Sequence, residues 1–215
     1  RIYENEGSGS FVPISPNPTG VTQSSADWGD YDGDGDLDVV VAGQNTNATV
    51  YRNDGSGTFV DVEADIFAGG PVAWGDYDGD GDLDLAVPSD QEIYENTEFG
   101  FDEVGGFNET TLEDLSEASS VDWGDYDGDG DLDLVVTGTD NFEGKTSKIY
   151  ENDGGSFSSI GADLLNVSNG ASKWGDFDGD GDLDLVLTGL DRNDVPVTRI
   201  YENEGSGSFV PISPN

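Results

Sequence analysis

Short apolar and alternating runs recur along this chain, and the segments between them are built from Asp, Gly, Asn and Ser. Runs such as Val39-Val40-Val41 and Leu185-Val186-Leu187 are β-branched or aliphatic and too short for helices. A second pattern reads IYENEGSGSF from Ile2, VYRNDGSGTF from Val50, IYENTEFGF from Ile93, IYENDGGSF from Ile149 and IYENEGSGSF from Ile200. Each is an aromatic strand, a polar turn and a second aromatic strand, which predicts a β-hairpin. Helical pattern is nearly absent. Thr111 to Ala118 alone reads as a short helical turn behind a Thr cap.

The other punctuation is an acidic loop. WGDYDGDGDLD begins at Trp28, Trp74 and Trp123, and WGDFDGDGDLD at Trp174, so the tryptophans lie 46, 49 and 51 residues apart. An entry stretch such as Val72-Ala73-Trp74 leads into each loop and a β-branched run leaves it. One repeat is therefore entry strand, loop, exit strand and aromatic hairpin. Four-stranded antiparallel units of about 40–50 residues are the size of a propeller blade. The expected fold is all-β: a propeller-like array of four blades, about 21–65, 70–107, 119–160 and 170–215, in a single repeat domain over 1–215.

The ends overlap. Residues 1–17 are identical to 199–215, an offset of 198 that continues the tryptophan spacing. Three readings account for this: a window from a long tandem polymer, a segment given an added closing hairpin, or a natural strap that shuts a ring. In the first, hairpin 1–17 completes a neighbouring blade. The chain opens on Arg1 in mid-pattern, without an initiator Met, as a processed or excised segment would.

Charge then changes the picture. The 215 residues carry 47 acidic and 7 basic side chains, a formal net charge of −40, yet 33% are hydrophobic, enough for a packed core. Each loop bends five Asp into nine residues. Two unit charges about 4 Å apart repel by about 4 kcal/mol at an effective dielectric near 20, so such a loop needs a cation to close. A D-x-D-x-D-G loop offers carboxylates from positions 1, 3 and 5 and a carbonyl from position 7, with Gly at position 6 for the sharp turn. The candidate ligands are Asp30, Asp32, Asp34, the carbonyl of Asp36 and Asp38; Asp76, Asp78, Asp80, Asp82 and Asp84; Asp125, Asp127, Asp129, Asp131 and Asp133; and Asp176, Asp178, Asp180, Asp182 and Asp184. The loop closes at position 9, because position 12 is Val41, Val87, Val136 or Leu187, which excludes a helix-flanked hand. Flexible all-oxygen sites suit Ca²⁺ over Mg²⁺, so four calcium ions are expected.

The loop and its spacing resemble the FG-GAP/VCBS repeat of integrin α-like propellers and of many secreted microbial proteins. The resemblance implies a calcium-binding propeller, with the metal held between the first two strands of each blade by the Asp positions just named. The literal FG and GAP strings are replaced by WGD and VVTG-like strings, and family rings commonly carry more blades than the four encoded here.

The remaining chemistry is sparse. There is no His, Cys or Met, so common nucleophile–base pairs and disulfides are excluded and no enzyme is expected. With the twenty loop carboxylates set aside, 27 acids still face 7 bases, which disfavours nucleic acid and anionic membrane surfaces as partners. No apolar run is long enough to insert in a membrane. The tryptophans and the hairpin tyrosines Tyr3, Tyr51, Tyr94, Tyr150 and Tyr201 read as packing. N-x-S/T sequons stand at Asn47, Asn108 and Asn166 as candidate glycosylation sites. The sequence thus points to a calcium-stabilised extracellular or cell-surface structural module, one period of a tandem-repeat filament, appendage or adhesin, whose partners are copies of itself. The alternative is a glycan-binding propeller.

Overall fold

The structure, a computed structural model, describes residues 1–14, 18–44, 46–97, 100–103, 115–140, 144–205 and 207–212. Among them every regular element is a β-strand. Blade 1 is β3 (Ser24–Gly29), β4 (Asp38–Gly43), β5 (Thr49–Asn53) and β6 (Phe59–Asp61), and blade 2 is β7 (Ala73–Gly75), β8 (Asp84–Val87), β9 (Glu92–Thr97) and β10 (Gly100–Glu103). Blade 3 is β11 (Leu115–Gly124), β12 (Asp133–Asp140), β13 (Lys145–Asp153) and β14 (Ser156–Ser159); blade 4 is β15 (Ser168–Gly175), β16 (Asp184–Leu190), β17 (Pro196–Asn203) and β18 (Phe209–Pro211). Each blade is a four-stranded antiparallel meander in chain order, and β1 (Tyr3–Gly7) with β2 (Ser10–Pro13) forms a separate two-stranded hairpin. The four sheets are the blades of a β-propeller, with the first strand of each innermost.

The register ties loop to hairpin in the same way in every blade. Trp28 pairs with Val39 and Val39 with Tyr51; Trp174 pairs with Leu185 and Leu185 with Tyr201. The central strands of blades 1 and 3 are buried on both faces, as Asp38–Gly43 and Asp133–Gly138 show, because each lies between two neighbouring sheets. Apolar area therefore accumulates between blades. One cluster joins Val40 and Val50 of blade 1 to Leu85 and Tyr94 of blade 2; a second joins Ile93 of blade 2 to Leu134 and Tyr150 of blade 3; a third joins Val135 and Ile149 of blade 3 to Leu187 and Tyr201 of blade 4.

The expected helical turn at Thr111–Ala118 is not what Leu115–Ala118 adopt. These residues open β11, where Leu115 pairs with Asp140 and is buried in the cluster between blades 2 and 3. Burial of Leu115 overrides a weak local preference. Residues 111–114 lie outside the described residues. Register shifts between Leu115 and Glu117 and between Ala118 and Ser120 let β11 run past the position 119 read from sequence.

Candidate metal centres

Each acidic loop joins the first two strands of a blade. The Gly at loop position 6 holds a positive φ in all four, +94° at Gly35 and +101° to +103° at Gly81, Gly130 and Gly181, a conformation that a side chain disfavours. The turn brings carboxylate oxygens of loop positions 1, 3 and 9 within 4.8 Å of one another. The four groups are Asp30, Asp32 and Asp38; Asp76, Asp78 and Asp84; Asp125, Asp127 and Asp133; and Asp176, Asp178 and Asp184. Any of them is able to hold a metal ion.

Position 5 takes a different place. Asp34 Oδ1 accepts the Asp36 N–H at 2.9 Å, and Asp80, Asp129 and Asp180 do the same for Asp82, Asp131 and Asp182. The position-7 side chain faces the hairpin in blade 3, where Asp131 Oδ2 accepts the Gly154 N–H at 3.2 Å. Position 9 is buried in every blade and bonded on both oxygens. Asp84 Oδ2 accepts from the Tyr77 N–H at 3.2 Å and Oδ1 from the Asn96 N–H at 2.9 Å, and Asp38, Asp133 and Asp184 repeat the pair. This carboxylate pegs loop to hairpin as well as facing the triad.

The electrostatics favour an added cation. Burial, reinforced by Asp78 and Asp80, pushes Asp84 up to about 7 against the pull of its two amide donors, and burial with Asp127 and Asp129 does the same to Asp133. Burial also raises Asp38. Asp30 Oδ1 and Asp76 Oδ1 are buried and have no hydrogen-bond partner among the described residues. A hard cation amid hard oxygens would satisfy both orphaned atoms and offset the repulsion, so the donor set fits such an ion.

The joint between blades is built from the same repeat. The aromatic at loop position 2 meets the Trp of the next blade: Tyr31 stacks on Trp74 at 5.9 Å, and Tyr126 on Trp174 at 6.1 Å. Beneath that Trp lies the Gly that follows the preceding Trp. A Cβ on Gly29 would come within 2.9 Å of the Trp74 ring, on Gly75 within 2.8 Å of Trp123, and on Gly124 within 2.7 Å of Trp174. The tryptophans expected to pack do so here, with Trp74 8% exposed. Trp28 is the exception at 49%, touching the edge of Phe59. A hairpin Asn completes the joint, with Nδ2 of Asn96, Asn152 and Asn203 donating to the carbonyl oxygens of Tyr31, Tyr77 and Tyr126 at 2.7–2.8 Å. Sequence reading missed this Asn, although it recurs two residues after the Tyr in every hairpin.

Asn47 and Asn166 are exposed, in the β4–β5 and β14–β15 links; Asn166 Oδ1 also accepts the Ser147 N–H at 3.0 Å. Asn108 lies outside the described residues. Among the described residues, no helix is long and apolar enough to cross a membrane.

The FG-GAP-like repeat matches residues 1–41, 30–87 and 125–187, together more than half of the chain. The chain belongs to the FG-GAP-like repeat family. Two of these matches, 30–87 and 125–187, begin at the first Asp of one loop and end on the exit strand after the next loop, so each spans a blade joint. Among solved structures, the FG-GAP-like chain is similar to Bap1, a biofilm matrix protein of V. cholerae, at 22% identity and a TM-score of 0.50 over 86% of the chain. That likeness concerns the fold, and the chain spans 27% of the length of the Bap1 structure. No curated protein sequence matches it.

Proposed function

We propose that this chain is a calcium-stapled structural repeat module of an extracellular assembly, acting with copies of itself rather than as an enzyme. The carrying observation is the fourfold triad: three carboxylates within 4.8 Å, once per blade, between strands that pack the joints. In each loop the position 1, 3 and 9 side chains would hold the ion, with the position 5 carboxylate and position 7 carbonyl as further oxygens. Calcium supplies positive charge that lets the loop close, and the chain's own residues carry the consequence outward. Asp38, Asp84, Asp133 and Asp184 fix their hairpins, and the loop aromatics press on the next blade. Membership of the FG-GAP-like family and the likeness to a biofilm matrix protein support the extracellular and adhesin-like setting.

Calorimetric titration with Ca²⁺ and Mg²⁺, paired with thermal melting, tests this. Extracellular calcium modules bind with dissociation constants of about 10⁻⁴–10⁻³ M. Calcium at a hundred times the dissociation constant stabilises by about 2.7 kcal/mol per site. Melting unchanged between excess chelator and millimolar calcium would overturn the proposal.

A second reading has one observation in its favour. The inner strands of all four blades line a groove of about 1050 Å³, with Trp28, Asp27, Ser119, Asp122, Asn169 and Lys173 on its wall. An aromatic face among hydrogen-bonding groups is what a sugar ring takes up. Binding on a glycan array that is lost in Trp28→Ala would favour a lectin.

A further inference from the structure

The leading hairpin and the outer half of blade 4 are one sequence in two environments. In β17 and β18, Tyr201 and Phe209 are 2% and 8% exposed in the cluster between blades 3 and 4, with Phe209 against Tyr126; in β1 and β2, the same residues as Tyr3 and Phe11 are 50% and 61% exposed. The other face reverses. Ile200 is 42% exposed, whereas Ile2 and Ile14 pack against Val39, Tyr51 and Phe59 of blade 1. That contact repeats the one by which Ile149 and Ile160 of blade 3 meet Leu185, Tyr201 and Phe209 of blade 4. The chain path beyond repeats too: the Thr19 N–H donates to Tyr51 Oη at 3.1 Å as the Leu165 N–H does to Tyr201 Oη at 2.7 Å. The β1–β2 hairpin therefore sits on blade 1 where the outer hairpin of a preceding blade would sit.

It does not bring that blade's inner half. Blade 1 consequently shows one side of an unmade joint. Trp28 is 49% and Leu37 56% exposed, while the matching Leu83 covers Gly29, and Asn53 Nδ2 donates only to Leu37 O within its own blade. Blade 4 shows the other side. Phe177, at the loop position of Tyr31 and Tyr126, is 54% exposed, and no described residue stands within 4 Å of where a Gly175 Cβ would be, although Gly29, Gly75 and Gly124 each lie under a Trp. Tyr77 and Tyr126, already in joints, are 7% and 4% exposed.

We propose that the outer face of blade 4 is a docking surface for blade 1 of a second copy of this chain, which seats there by exchanging its own β1–β2 hairpin for the β17–β18 hairpin of its neighbour. This rests on the reading of the chain as a module that acts with its own copies. The exchange replaces the hairpin contact with an identical one, and the inner half adds what is missing: Trp28 and Leu37 over Gly175, Phe177 against Trp28, and Asn53 to the Phe177 carbonyl oxygen. The new burial is what favours the joined state, and it has to exceed the entropy lost when two chains associate. The tethered hairpin competes at a high effective concentration, so it caps the chain until a neighbour displaces it. The contact is head-to-tail, so copies close a ring or grow a filament.

The test is sedimentation of the full chain in saturating calcium. The double change Ile2→Asp with Ile14→Asp should release the cap and shift the mass from one chain to two or more at concentrations where the parent is monomeric; adding Phe177→Asp should return it to one. A double variant that stays monomeric while melting like the parent, or association indifferent to Phe177→Asp, overturns the proposal. Should the double variant lose its fold, the parent background decides. There, association at raised concentration should be abolished by Phe177→Asp; a parent that stays monomeric at millimolar concentration, or that associates equally with Phe177→Asp, overturns the proposal. Failure of the calcium reading would appear separately, as unchanged melting in chelator.

Discussion

Asn203 in the hairpin of blade 4 donates its side-chain Nδ2 to the carbonyl oxygen of Tyr126 in the loop of blade 3, at 2.8 Å and fully buried. The same Nδ2 reaches Leu183 O at 3.2 Å, and the Asn203 N–H donates to Asp184 Oδ1 at 2.9 Å. One residue thus links a candidate metal carboxylate to the preceding blade. Each buried group left unsatisfied costs about 1–3 kcal/mol. Asn203→Ala should therefore lower the urea unfolding free energy by that amount or more. Asn53→Ala, whose Nδ2 donates to Leu37 O of its own blade and to no neighbouring blade, should cost distinctly less.

Gly124 and Gly175 are equivalent in sequence and opposite in surroundings. A methyl group on Gly124 would meet the Trp174 ring at 2.7 Å, whereas Gly175 has open space. Gly124→Ala should destabilise by about 1–3 kcal/mol, the usual cost of overpacking. Gly175→Ala should leave the melting temperature of the monomer unchanged in the same thermal scan.

The pH response follows from Asp84 and Asp133, both raised to about 7 by burial. Unfolded, they titrate near the ordinary value of 3.8. Between those values the folded state holds more protons than the unfolded one, so without metal stability falls as pH rises from about 4 to about 7. Bound calcium should remove that decline, and its apparent affinity should weaken as pH drops below about 7 because protons compete for the same oxygens. Chemical denaturation from pH 4 to 8, with chelator and with calcium, measures both slopes.

Within blade 2, Asp78 belongs to the triad, while Asp80 is engaged with the Asp82 N–H. Asp78→Ala should weaken calcium binding to that loop at least as much as Asp80→Ala. Asp90, outside the loop, accepts the Tyr94 hydroxyl at 2.6 Å. Asp90→Ala should therefore lower stability while leaving all four calcium heats intact, so calorimetry separates ligands from scaffold where melting alone would not.

The strands, the loop between the first two strands of each blade and the aromatic hairpins were legible because each rests on local chemistry. Period-2 runs, the Asp-Gly turn with its positive φ at Gly35, and the repeat length all lie within one blade. The exception was Leu115–Ala118, where burial against blade 2 outweighed a helical reading. The gathering of Asp30, Asp32 and Asp38 ahead of Asp34 was not legible, since alternation along the loop leaves open which oxygens turn inward and which cap the next amide.

The sequence alone determined an acidic all-β repeat with four cation-seeking loops and a duplicated terminal hairpin. Only the tertiary structure decided that Gly29 lies under Trp74, that Asn203 reaches Tyr126, and that Tyr3 and Tyr201, in identical sequence, stand one exposed and one buried. These contacts join residues 45 to 77 positions apart in the chain or set one copy of a sequence against a neighbour the other lacks. Dihedral preference and hydrophobic period act over a few residues; which blade covers which face is settled by the order in which the blades stack.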